Sequence, residues 1–172
     1  MYTREGSEAR TFLEELASQG IRPSVIAYAD GCSHPHFEPH NGGWGYVVLE
    51  NKAFPDIDDI LVEAYGYETR TTNNVMEMEA IYNALLWVPA HSSVEVRSDS
   101  QTAVTIMKTG RSTIDSLAAI AAKTRKLIAE KDLYVSYTHV KGHADDDFNN
   151  RADILSNLGV NTADIIYGIR RK

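Results

Sequence analysis

The 172-residue chain has one cysteine, five prolines and two tryptophans. It has no apolar run near the ~20 residues that a membrane-spanning helix needs. A single thiol, Cys32, cannot close an internal disulfide, which fits a reducing cytoplasm. The opening segment MYTREGSEARTFLEELASQG is charged throughout and lacks an apolar signal-peptide core, so a soluble, unexported, cytoplasmic protein is expected. Positive charge is also scarce: 17 Lys and Arg stand against 24 Asp and Glu, for a net charge of -7. Such a surface repels a phosphate backbone as a whole. A nucleic-acid enzyme would need a local exception, and divalent cations held by carboxylates would supply one. Repeats, low-complexity tracts and linkers are absent, while 43% hydrophobic residues suffice for one sizeable core. Monomer is the default expectation.

Residues 5–19 read as a short amphipathic helix with Phe12, Leu13 and Leu16 on one side and Gly20 as its stop. Residues 24–29 form a first strand, followed by a Gly-, His- and Pro-rich loop over 31–43. Further strands are predicted at 44–50 and 60–69, a helix at 74–88 ended by Pro89, and a strand at 93–98 running into Asp99. Helices at 100–109 and 113–130, a strand at 133–139 and a helix at 147–158 complete the order. A meander followed by strands alternating with helices argues a mixed α/β sheet with helices on its faces. The expected organisation is an accessory helix at 1–22, a catalytic domain at 23–160 and a tail at 161–172.

Four carboxylates stand out. Asp30 and Asp99 each follow a strand, where a sheet delivers side chains into a crevice, although either alone also reads as a turn aspartate. In TTNNVMEME (71–79), Asn74 is the expected helix cap, and Glu77 three positions later would complete a capping-box-like pair. At about 100° per residue, Glu77 shares the stripe of Ala80, Ile81, Ala84, Leu85 and Val88, whereas Glu79 turns toward solvent beside Tyr82 and Asn83. A glutamate heading a buried stripe is costly unless its charge is paired. Asp153 lies one turn into the last helix beside Phe148, Ala152, Leu155 and Leu158, while Asp145, Asp146 and Asp147 are better placed to serve the helix dipole. An oxygen-only set suits Mg²⁺ or Mn²⁺ rather than zinc. Two such ions would activate water and stabilise the leaving oxygen in an in-line phosphoryl transfer. Cys32, His34, His36 and His40 form a second motif, C-x-H-x-H-x₃-H, for which a polar loop is a better account than a zinc module.

The ordered motifs ADG (29–31), GGWGYVV (42–48), TRTTNNVMEM (69–78), SDSQ (98–101) and VKGHADDDFNNRAD (140–153) resemble a type 1 ribonuclease H over about residues 24–160. The resemblance implies a ribonuclease H-like fold, a five-stranded mixed sheet flanked by helices, here with a short extra N-terminal helix. It implies endonucleolytic hydrolysis of the RNA strand of RNA·DNA hybrids, leaving 5′-phosphate and 3′-hydroxyl ends, with two Mg²⁺ ions and Mn²⁺ as an alternative. By position, Asp30, Glu77, Asp99 and Asp153 match the metal-binding carboxylates, and His143 matches a mobile-loop histidine suited to proton shuttling or product release. Asn73, Asn74 and Gln101 match positions that read the hybrid's minor groove, and Arg70 and Thr72 match a pocket that grips a DNA phosphate. Departures are Ala29 for the usual threonine, Cys32 where serine is common, and a longer, histidine-rich segment at 31–41. Residues 110–113 carry no basic insertion, and Lys123, Arg125 and Lys126 read chiefly as a solvated helix face. No asparagine that completes the phosphate pocket is evident. Competing readings are a nuclease of this fold acting on structured DNA or 3′ ends, and a noncatalytic hybrid-binding module.

Overall fold

Along β2 (Ser24–Ser33), Val25, Ala27 and Ala29 alternate with Ile26, Tyr28 and Asp30, and both sets are buried. A strand covered on both faces must lie at the centre of a sheet with helices above and below. The computed structural model describes residues 1–6, 8–142 and 145–171 and shows that arrangement. β1 (Tyr2–Glu5), β3 (Phe37–Glu38), β4 (Gly42–Glu50), β5 (Ile60–Glu68), β6 (Ser93–Ser98), β7 (Tyr134–His139) and β8 (Arg170–Arg171) are the other strands. The main sheet has the order β1-β5-β4-β2-β6-β7; β6 and β7 run parallel to β2, and the remaining neighbours pair antiparallel. The mixed sheet is therefore extended to six strands by the chain's own N-terminus.

That added strand has a physical reason. β5 would otherwise present an unpaired edge. Tyr2 stacks on Tyr65 with ring centroids 5.2 Å apart, and Arg4 lies 3.7 Å from Glu63. The helix expected from residue 5 consequently starts later, as α1 (Ala9–Ser18), with Leu13 as its buried residue.

One face of the sheet carries the larger core, where Val25, Ala27, Ala29 and Val48 pack with α2 (Asn73–Trp87), α3 (Gln101–Thr109) and α4 (Asp115–Glu130). The other face packs Ile26, Tyr28, Val47 and Leu49 against Ala152 and Leu155 of α5 (Asp147–Tyr167). On α2, Ala80, Ile81, Ala84, Leu85 and Val88 are fully buried, as the helical periodicity predicts. The last helix exceeds its expected end, and the residues beyond it pair as β8 with β3. The C-terminal end of α2 is closed by Lys131, whose Nζ donates to Leu85 O and Leu86 O at 2.9 Å each, and also to Val88 O.

α5 approaches β4 closely because Gly43 lacks a side chain. A Cβ built there would lie 2.2 Å from Ser156 O and 2.3 Å from Val160 N, both helix backbone atoms that cannot step aside. Gly43→Ala should therefore push α5 off the sheet. Overpacking of this kind costs about 1–3 kcal/mol or more, so a fall in Tm of roughly 5 °C is expected. Thermal unfolding followed by circular dichroism checks this, and an unchanged Tm would contradict the close approach.

Candidate active site

β2 does not stop before Asp30, as its sequence suggests. The strand continues because Cys32 and Ser33 pair with Gly43 and Gly42, so Asp30 sits inside the ladder opposite Gly45. Its side chain points to the α5 side, where the Ser156 hydroxyl donates to Asp30 Oδ2 at 2.7 Å. Ser156 is fully buried, and its Oγ also lies 2.9 Å from Asp153 O. Asp153 stands beside Asp30 and adds its charge and a side-chain hydrogen bond to that environment.

Glu77 comes from the opposite layer. The helix cap is Thr72, whose Oγ1 accepts from Val75 N at 3.3 Å, rather than the expected Asn74. The register is fixed by the extended backbone of Thr72, which places Asn73 and Asn74 already within the first turn. Glu77 thus lies beyond the capping position and is free of that duty. Gly31 lets the helix come close: a Cβ there would be 2.2 Å from Glu77 N. Glu79 is less open than its helical angle implied. It accepts from Lys123 Nζ at 2.9 Å, and that ammonium also lies 4.1 Å from the Tyr82 ring centroid.

Asp99 follows β6. Ligand oxygens of Asp30, Glu77 and Asp99 all lie within 4.8 Å of one another, and Asp153 lies beside this triad rather than in it. Burial raises the Asp30 pKa to about 7, with the charges of Asp99 and Asp153 adding to the shift and the Ser156 hydrogen bond opposing it. Burial likewise holds Glu77 well above the usual carboxylate range, with Asp30 and Asp99 adding repulsion and a Gly31 backbone hydrogen bond acting against it. Glu77 Oε2 is buried without a hydrogen-bond partner. Among the described residues, lysine and arginine ion pairs go to other acids, including Glu63, Glu79 and Glu95. An orphaned carboxylate oxygen within an oxygen-only cluster is the environment that a hard divalent cation fits.

Several features near the triad carry little sequence signal. Ser156 is an ordinary helix serine until α5 is laid across β2. His139 Nε2 lies 3.0 Å from Asp99 O, and a Cβ on Gly142 would lie 2.8 Å from Asp99 Oδ2. The loop histidine His143 lies outside the described residues.

The residues expected to meet substrate flank this cluster. Thr72, Asn73 and Asn74 are exposed at the start of α2, and Gln101 is exposed at the start of α3. Asn73 Oδ1 accepts from Ser33 N at 2.6 Å and Ser33 Oγ at 2.8 Å, which orients its amide nitrogen as a donor. Gln101 Nε2 donates to Thr105 Oγ1 at 3.0 Å. Arg70 is exposed, with a left-handed backbone (φ 54°) held by Arg70 N to Pro39 O at 3.1 Å and Thr71 N to His40 O at 3.0 Å. Of the histidine-rich loop, His34 Nδ1 faces Asp164 at 3.0 Å, His40 Nε2 faces Glu38 at 3.4 Å, and His36 is exposed. The described residues show no convergence of these histidines with Cys32. Of the three basic residues on α4, Lys123 holds Glu79, Arg125 donates to Lys108 O at 2.9 Å, and Lys126 lies 3.8 Å from Glu130.

The RNase H family model matches residues 22–161. A ribonuclease H of Prosthecochloris aestuarii is 31% identical over 152 residues, covering 81% of this chain and 97% of the relative. A ribonuclease H of Chlorobium phaeovibrioides is 33% identical with the same coverages. Among solved structures, RNase H1 of the halophilic archaeon Halobacterium salinarum superposes with a TM-score of 0.66 at 26% identity, covering 81% of this chain and 98% of the other. LC11-RNase H1, solved in complex with an RNA/DNA hybrid, gives 0.67 at 28% identity with the same coverages.

The buried acids set a pH dependence in the metal-free protein. Asp30 holds its proton to about pH 7 when folded but only to about 3.8 when unfolded. The folded state therefore binds more protons in this window, and this group's contribution to stability falls as pH rises through it. Asp30→Asn does not titrate and can keep the Ser156 hydrogen bond. In EDTA it should melt near wild type at about pH 4 and progressively higher than wild type up to about pH 7, where the difference in stability is on the order of a few kcal/mol. A Tm difference that stays flat or reverses across the window would contradict the raised pKa of Asp30.

Proposed function

The chain belongs to the ribonuclease H family, and from that premise we propose that it hydrolyses the RNA strand of RNA·DNA hybrids endonucleolytically, leaving 5′-phosphate and 3′-hydroxyl ends. The observation that carries the reading is the triad of Asp30, Glu77 and half-buried Asp99 with its orphaned Glu77 oxygen. These three, with Asp153 beside Asp30, would hold two Mg²⁺ ions, Mn²⁺ being the alternative. When bound, the metal supplies Lewis acidity toward the scissile phosphate and a nucleophilic water at neutral pH.

The protein's own groups do the positioning. Ser156 fixes the Asp30 carboxylate through Oδ2. Gly31 and Gly142 keep Cβ atoms away from Glu77 and Asp99, so the carboxylates meet without intervening bulk. Burial by both helical layers excludes water that would otherwise screen the charges. Asn73, oriented by Ser33, offers N–H donors toward a 2′-hydroxyl, and Asn74 and Gln101 extend this contact along the minor groove. Reading 2′-hydroxyls and groove shape needs no base-specific contact, so cleavage without strong sequence preference follows. Arg70 and the Thr72 hydroxyl at the helix start suit a DNA phosphate. His143 is assigned proton shuttling or assistance to product departure.

The test uses end-labelled RNA·DNA hybrid, duplex DNA, duplex RNA and single strands, each with Mg²⁺ or EDTA. Only the RNA of the hybrid should be cut, at internal positions and only with metal. Asp30→Asn and Asp99→Asn should each lower the rate on the order of 10²–10³ or more while the fold is retained. Preferred cleavage of DNA would favour another nuclease of this fold, binding without cleavage would favour a binding module, and activity in EDTA would remove the metal mechanism.

A further inference from the structure

The chain has few cations and no basic insertion between α3 and α4, yet two arginines that make no ion pair among the described residues line one groove away from the carboxylate triad. A groove of about 560 Å³ lies between the β3–β8 ribbon and the turn that leads into α2, lined by Glu38, Thr69, Arg70, Tyr167 and Arg170 among others. Its two arginines come from opposite ends of the chain. Arg70 precedes the cap of α2, and Arg170 belongs to the terminal strand, in register with Glu38, while Arg171 pairs with Phe37.

The groove is built rather than incidental. Asn41, 2% exposed, donates through Nδ2 to Asp164 Oδ1 at 2.9 Å and to Gly168 O at 3.0 Å, which docks the end of α5 on the loop after β2. His34 faces the same Asp164, and the Tyr67 and Tyr167 rings meet edge-on at 6.4 Å. The two backbone hydrogen bonds from Arg70 and Thr71 to Pro39 and His40 secure the other wall. The long histidine-rich loop thus serves as a clamp that fixes the terminal strand beside Arg70.

Of the acids nearby, Glu38 lies 3.4 Å from His40 Nε2, and Asp164 lies 3.0 Å from His34 Nδ1 and accepts from Asn41. Among the described residues Arg70, Arg170 and Arg171 make no ion pair, in a protein of net charge -7. Guanidinium groups that make no ion pair among the described residues, in an open groove, suit phosphate oxygens, which they bind through planar, paired N–H donors. Arg70 and Arg170 line the groove and exposed Arg171 follows on the same ribbon, which suits successive phosphates of a polyanion.

We infer that the terminal strand extends the phosphate contact of Arg70, with Arg170 and Arg171 holding further backbone phosphates of the hybrid's DNA strand. This rests on the hybrid-cleaving reading above, but it concerns affinity and not chemistry. Each phosphate contact adds to the salt dependence of binding, by roughly 0.7–0.9 in the slope of log K against log salt.

The experiment measures binding of a fluorescein-labelled RNA·DNA hybrid in EDTA by anisotropy across a salt series, for wild type, Arg170→Ala/Arg171→Ala and Arg170→Lys/Arg171→Lys. The alanine pair should lower affinity about tenfold at moderate salt and make the slope shallower by roughly one to two, whereas the lysine pair should restore most of the slope. Hybrids with a single neutral methylphosphonate stepped along the DNA strand should show at least two sensitive positions in wild type, of which the alanine pair loses one and keeps the other. An unchanged slope and unchanged methylphosphonate profile in the alanine pair would overturn the inference. So would failure of lysine to restore the slope, since that would indicate a structural defect. Cleavage assays on wild type separate the two claims: a protein that binds hybrid with this signature but does not cut it refutes the proposed activity and leaves the groove standing.

Discussion

Like charges held close together out of water are the constraint on which the rest of the structure depends. Asp30 and Glu77 converge with half-buried Asp99 where strand and helix layers meet, so the repulsion felt by the two inner acids is weakly screened. The metal-free protein meets that cost by keeping protons on acids that would otherwise be ionised, as the raised values of Asp30 and Glu77 describe. A cation of charge two can take the place of those protons and satisfy the Glu77 oxygen that the protein leaves without a partner. Storing such strain at a functional site is affordable only because the surrounding core is extensive.

The architecture follows from bringing acids of three separate segments to one point. Asp30 belongs to a central strand that is buried on both faces, and α2 and α5 approach that strand from opposite sides. Glycines replace side chains at the closest crossings, Gly31 under Glu77 and Gly43 under α5. Ser156 then links the second helix to the strand at the acid itself. A shift of either helix would change the spacing of the carboxylates, so packing in the core and geometry in the site are one problem. The outer parts play a different role: the N-terminal strand closes the β5 edge, and the histidine-rich loop fixes the C-terminal strand.

Much of this was legible in the sequence because it depends on local patterns. Helical periodicity placed Glu77 on the buried stripe, and the two-residue alternation and turn residues located most strands. What escaped depends on contacts between distant segments. The terminal strands of residues 2–5 and 170–171 exist because other strands offer edges, and four or two residues carry no periodic signal of their own. The cap moved from Asn74 to Thr72 because both residue types cap well and only backbone conformation separates them. The helical angle of Glu79 points to solvent and cannot reveal its partner Lys123, which lies 44 residues away. The departures in the loop at 31–41 acquire a reason only once Asn41 and His34 are seen to hold the end of α5.

The central claim is that the acids retain protons until a divalent cation replaces them. Carboxyl ¹³C NMR of the folded, metal-free protein at neutral pH tests it directly, with Asp30 and Glu77 assigned through their Asn and Gln variants and Mg²⁺ then titrated in. Before the addition Asp30 should be near half-protonated and Glu77 should titrate above the ordinary glutamate range, and both should shift to the ionised position as Mg²⁺ binds. Fully ionised carboxylates in the metal-free protein, or spectra unaltered by Mg²⁺, would contradict the account.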